Sequence, residues 1–71
     1  MVFNTDKLRG KIIEVYGSLR EFCAETNYSY STLQGKLSNK TYFTQVDIMK
    51  FVEWLKLEEE EILLYFFTLK V

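Results

Sequence analysis

SLREFCAETNYSYSTLQGKLSNK, residues 18–40, is the stretch whose reading decides the fold. It reads as two short helices joined by a tight turn. Ser18 is followed three residues on by Glu21, the spacing of a capping box, in which the serine oxygen takes the Glu21 amide and the carboxylate reaches back to the Ser18 amide. Leu19, Phe22 and Cys23 share one face of the first helix. Asn27 falls where the chain must turn, and after glycine asparagine best tolerates left-handed backbone. Ser29 is placed to cap a second helix. That helix buries Leu33 and Leu37 and turns Tyr30, Ser31, Gln34 and Ser38 the other way. The distance from Ser18 to Ser29 leaves two turns of helix and a turn of about three residues, which is helix-turn-helix geometry.

Working outward, the apolar period and the caps predict three more helices. The first covers residues 5–16, with Asn4 as cap, a hydrophobic staple between Phe3 and Leu8, and a stripe of Leu8, Ile12, Val15 and Tyr16. A fourth covers residues 45–56, capped by Thr44 with Asp47 in the capping-box position and a second staple from Phe43 to Ile48. The fifth starts near Glu58, where four successive glutamates suit the positive end of a helix dipole. It is expected to stay helical to about residue 67 and to continue as an extended, β-like arm. The fold class is therefore all-α: residues 1–71 form one domain, a compact five-helix bundle with a helix-turn-helix at its centre and a short C-terminal arm.

Composition narrows the function classes. A 71-residue chain with 48% hydrophobic and 27% charged residues has enough apolar surface for one small core and is not a disordered segment. The chain has no proline and only three glycines, so little opposes helix. One cysteine excludes an internal disulfide and suits a reducing cytoplasm. Nothing resembles a signal peptide, and no apolar run approaches the roughly 20 residues that cross a bilayer, so no membrane association is expected. With no histidine, no phosphate-cradling glycine loop and no clustered metal ligands, an enzyme is not expected, nor a metal, a cofactor or a small-molecule substrate. Cys23 reads as a small core residue and the glutamate run as a solvated helix start.

A short, uncharged, polar helix held on its back by a partner helix is what reads base edges in a major groove. The charge distribution is compatible with this. The net charge is −1, but residues 1–40 carry +2 and residues 41–71 carry −3, and DNA affinity follows local neutralisation of phosphates. Gly35 inside the second helix of the pair costs about 1 kcal/mol relative to alanine. It either relieves crowding or lets the helix approach DNA closely.

The pair resembles the helix-turn-helix of phage repressors and Cro proteins, the lambda-repressor-like fold. Cys23, with Ala24 beside it, matches the small residue inside the first helix. Asn27 replaces the usual turn glycine, Tyr28 is bulkier than the usual Val or Ile after the turn, and Leu33 matches the buried aliphatic residue. Leu37 comes one position later than in many members. LQGKLSNK (33–40) and DKLRGKIIEVYGS (6–18) are similar to small Cro-like proteins of Gram-positive temperate phages, and the likeness covers roughly residues 5–67. It implies a sequence-specific transcriptional regulator of a lysis-lysogeny switch, acting on a double-stranded DNA operator in the cytoplasm of the bacterial host. In that role Tyr30, Ser31, Gln34 and Ser38 face base edges, with Gln34 suited to a bidentate contact with adenine. Ser18, Arg20, Lys36, Asn39, Lys40 and Thr41 hold phosphates.

A competing reading keeps the fold and changes the ligand. Such a chain also suits a modulator, an antirepressor or co-repressor that grips a partner phage repressor. Twelve aromatic residues are many for this length, and eight of the last ten residues are apolar, more than one helix face buries. An interface is expected from Phe51, Trp54, Tyr65, Phe66, Phe67, Leu69 and Val71, serving either a homodimer or a partner repressor.

Overall fold

Five α-helices make up the fold among residues 2–70, the part of the chain that the computed structural model describes: α1 Asp6–Tyr16, α2 Leu19–Thr26, α3 Tyr30–Leu37, α4 Gln45–Leu55 and α5 Glu59–Phe66. The protein is all-α. Among the described residues, β structure is limited to one isolated antiparallel bridge between Phe3 and Leu69. No helix among them is long and apolar enough to cross a membrane.

Caps and left-handed residues set the helix limits. Gly17 ends α1 at φ 98°, where a side chain would be strained. Asn27 ends α2 at φ 60° and ψ 28°, the left-handed turn expected of it. Ser18 caps α2 by accepting the Glu21 amide at 3.0 Å, and Ser29 caps α3 by accepting the Thr32 amide at 3.3 Å. In α4 the box closes in both directions: Thr44 Oγ1 accepts the Asp47 amide at 3.1 Å, and the Thr44 amide donates to Asp47 Oδ2 at 2.8 Å.

Two limits differ from the expected ones. The N-cap of α1 is Thr5, although Asn4 still serves the helix start by accepting the Asp6 amide through Oδ1 at 2.9 Å. The Thr5 hydroxyl instead donates to the Leu37 carbonyl at 2.6 Å, tying the start of α1 to the end of α3. α4 stops at Leu55, because Lys56 turns left-handed at φ 55°.

Each helix sends one or two residues into a common core. Leu8 and Ile12 come from α1, Phe22 and Cys23 from α2, Leu33 and Leu37 from α3, Phe51 and Leu55 from α4 and Phe66 from α5. Helices this short span few turns, and large rings fill the space between them. The Phe22 ring lies 5.1 Å from Tyr16, 5.2 Å from Phe51 and 5.6 Å from Trp54. The Phe51 ring meets Tyr28 and Phe43, each at 5.2 Å and nearly edge-on, a favoured arrangement of aromatic quadrupoles.

This packing corrects the expected interface. Phe51 is fully buried and Phe66 nearly so, and both belong to the core. Trp54 and Tyr65 are half-buried against it. Of the expected interface residues, Phe67 and Leu69 are exposed, and Val71 lies outside the described residues. The most exposed large apolar side chains among the described residues are Met49 on α4 and Leu63 on α5.

The arm is extended, as expected, and its neighbour is the chain's own N-terminal segment. The Asn4 amide donates to the Thr68 carbonyl at 2.7 Å, and the Lys70 amide to the Val2 carbonyl at 2.8 Å. The resulting two-stranded ribbon sits beside the C-terminal end of α3.

Candidate nucleic-acid interface

The outward surface of α3 is polar and shallow. Ser31, Thr32, Ser38, Lys40 and Thr41 are exposed, and Gln34 and Gly35 lie half-buried between them. Behind this face Leu33 is fully buried and Leu37 nearly so, so the helix rests on a rigid apolar support. Beyond α3, the amides of Lys40 and Thr41 both donate to the Gly35 carbonyl, at 2.9 and 3.2 Å. Ser38 Oγ donates to the same carbonyl at 3.1 Å. These bonds fold the end of the helix back, so that Lys40 and Thr41 stand beside Ser31 and Thr32.

Gly35 lies at the centre of this surface. A Cβ built there meets only Thr41 Oγ1, at 3.6 Å, an ordinary contact. Crowding inside the protein therefore does not require glycine at this position.

Tyr30 and Gln34 act together. Gln34 Nε2 donates to the Tyr30 hydroxyl at 2.7 Å. The Tyr30 ring packs at the edge of the core, and the Arg20 guanidinium stacks 4.1 Å from its centroid. Tyr30 thus braces both an amide and a cation at the first turn of α3. One N–H and the Oε1 of Gln34 remain for an outside partner.

Two residues expected at phosphates do other work. Lys36 forms an ion pair with Asp47, and both side chains are largely buried. Asn39 takes the left-handed conformation at φ 67°. Its side-chain amide brackets Phe3, accepting that residue's N–H at 2.8 Å and donating to its carbonyl at 2.9 Å. Lys36 borders the outward surface with its ammonium held by Asp47, and Asn39 lies off that surface. Ser18 uses its oxygen as the α2 cap, while Arg20, Lys40 and Thr41 remain at the surface.

Asp47 is the residue that the sequence reading left out of this region. Its capping-box position is legible, but nothing local pairs it with Lys36, 11 residues earlier. Tyr28 also donates to it, through its hydroxyl to Oδ1 at 3.2 Å. Burial pushes the Asp47 carboxyl up, yet the bonds from Lys36 and from the amide and hydroxyl of Thr44 outweigh this and hold it below the ordinary range. The Tyr28 hydroxyl is pushed well above its ordinary value, by burial first and by Asp47 second. Burial likewise raises the Cys23 thiol, against a smaller opposing effect of Arg20. A raised, buried thiol is a poor nucleophile. Thr32 is a second omission: it shares the open surface of Ser31, Gly35 and Thr41, and its place follows only once the helix axis is known.

Among the described residues no cluster of three His, Cys, Asp or Glu side chains is placed to hold a metal ion. A partly open hollow of about 40 Å³ is lined by Lys36, Phe3, Phe43, Phe66 and Phe67 among others. It has room for about one water molecule, not an organic ligand.

The model of the family described as "Protein of unknown function (DUF739)" matches residues 1–69, and the chain belongs to that family. No curated protein matches it.

Proposed function

We propose that this DUF739 member is a sequence-specific DNA-binding regulator in which α2 and α3 form a helix-turn-helix. The observation that carries the reading is the uncharged polar face of α3, with Gln34, Ser31 and Ser38 outward and Leu33 and Leu37 buried behind. Likeness to phage Cro and repressor proteins adds a biological setting, the lysis-lysogeny switch of a temperate phage.

In this role α3 lies in the major groove. The Gln34 amide, held by Tyr30, accepts from adenine N6 and gives its remaining N–H to N7. Ser31 and Ser38 meet neighbouring base edges. Arg20, Lys40 and Thr41 fix the register on phosphates, and the amides at the start of α2 favour a phosphate there. With Lys36 engaged by Asp47, few free cations border the face. Affinity per subunit is then modest, and base contacts and pairing of subunits carry more of the discrimination.

Selection from a library of random duplexes tests the reading, followed by titration of the enriched site over a range of salt. A short recurrent site, bound far more tightly than random DNA, is the expected result. Absence of any enriched site, with capture of a phage repressor protein instead, favours the modulator.

A further inference from the structure

A shallow groove runs on the surface between α4 and α5, which pack against each other across a short turn. Ile48, Met49 and Val52 of α4 and Ile62 of α5 line it, with Glu53 and Glu59 in its walls. Ile48, Val52 and Ile62 are half-buried and form the floor. Met49 is 71% exposed, Val46, one turn earlier on α4, is 59% exposed, and Leu63, one turn after Glu59 on α5, is 70% exposed. At these helical spacings Val46 lies beside Met49 and Leu63 beside Glu59, so both extend the apolar surface of the groove. The core makes no use of these three side chains; α4 supplies it with Phe51 and Leu55, and α5 with Phe66.

The rim carries one sign of charge. Glu53 and Glu59 are exposed, and neither side chain has an ion-pair or hydrogen-bond partner among the described residues. By contrast, the Glu61 carboxylate accepts the Glu58 amide at 2.8 Å and belongs to the start of α5. No lysine or arginine lines the groove.

We propose that this groove holds an amphipathic helix of a second protein, with an apolar stripe bordered by lysine or arginine. Three features select that occupant. The groove backbone lies within α4 and α5 and is paired there, so only side chains are offered to a partner. A partner laid along them must satisfy its own backbone, which a helix does and an extended segment does not. The shape agrees: two packed helices present a channel that takes the ridge of a third. The 11 residues of α4 make it about 16 Å long, enough to support about three turns of that third helix. Charge decides between partners. A second copy of this chain laid on the same groove brings four unpaired carboxylates into one interface without a cation. A helix bordered by basic residues meets Glu53 on one wall and Glu59 on the other, and its apolar stripe covers Met49, Val52 and Ile62. The groove shares no lining residue with the outward surface of α3, and the proposal does not rest on the DNA-reading role.

A displayed library of helical peptides tests it, selected on the full chain without DNA. Each peptide is about three to four turns long, with leucine at i, i+3, i+4 and i+7 and random residues at the positions bordering that stripe. The enriched peptides should carry lysine or arginine at those borders and bind one per chain, more weakly as salt rises. Glu53→Lys should weaken the best basic peptide about tenfold or more and strengthen its counterpart with glutamate borders. Met49→Ala combined with Leu63→Ala should also weaken it about tenfold or more. Both of these side chains are mostly in solvent, so the thermal melt of that variant should match the wild type. Four results overturn the proposal: no enriched helix, enrichment without preference for basic borders, binding indifferent to Glu53→Lys, or binding indifferent to the double alanine variant. Sedimentation of the chain alone adds a fifth. A dimer that the double alanine variant dissolves would make a second copy the occupant.

Discussion

Replacing Gly35 with alanine separates stability from recognition. Gly35 sits inside α3 with ordinary helical backbone, and an added Cβ meets only Thr41 Oγ1 at 3.6 Å. Nothing in the fold opposes the substitution, so the helix gains the usual glycine-to-alanine increment of about 0.5–1 kcal/mol. For a domain of this size that corresponds to a rise in Tm of about 2–8 °C. Gly10 is the matched control, because it lies inside α1 and a Cβ there meets nothing within 4 Å. Gly10→Ala should stabilise by a similar amount. The two variants diverge on DNA. If α3 lies against the groove at Gly35, the new methyl intrudes on a close-packed contact and costs about 1–3 kcal/mol, or roughly 5- to 150-fold in Kd. Gly10→Ala should bind as the wild type does. Thermal melts and fluorescence anisotropy on the selected duplex measure both effects. A Gly35→Ala protein that is more stable and binds DNA unchanged would refute close approach at α3. One that is less stable would refute the packing described for that helix.

Gln34→Ala should lose about 1–3 kcal/mol on the preferred site and relax specificity at one base pair, whereas Lys40→Ala should weaken all sequences alike and lower the salt slope by about one. Competition binding across single-base variants of the site distinguishes these outcomes. Leu33→Ala empties a fully buried position behind the outward face of α3 and should cost about 2–5 kcal/mol in denaturant melts, while Cys23→Ala should be mild and keep the proposed DNA binding. Lys36→Ala strips Asp47 of its cation and should cost about 1–3 kcal/mol; its effect on DNA should vanish where the variant is fully folded. Because the folded Asp47 carboxyl sits below its ordinary value of 3.8, its contribution is complete above that value and disappears as pH falls through the folded pKa. Asp47→Asn should therefore flatten the acid side of the stability profile in melts taken from neutral to acid pH.

The helices themselves were legible because their signals are local. Ser18, Ser29 and Thr44 each cap through the backbone amide three residues on, and Asn27 turns the chain through its tolerance of left-handed backbone. The buried faces of α2 and α3 were legible for the same reason, since Phe22, Cys23, Leu33 and Leu37 repeat at helical spacing. The chemistry of the outward face followed from whatever that stripe left over.

Which of those outward residues stay free depended on contacts between distant parts of the chain. Lys36 and Asn39 look like surface residues at the end of a polar helix, but one meets Asp47 on α4 and the other meets Phe3, 36 residues earlier in the sequence. Phe51 and Phe66 look like surplus aromatics until five short helices converge and leave spaces only rings fill. The arm reads as extended from its composition, yet its pairing with residues 2–4 depends on where two chain ends meet. Periodicity and capping are properties of a few adjacent residues and can be read along the sequence. Ion pairs, strand pairs and core membership join residues tens of positions apart, and only the packed tertiary structure brings them together.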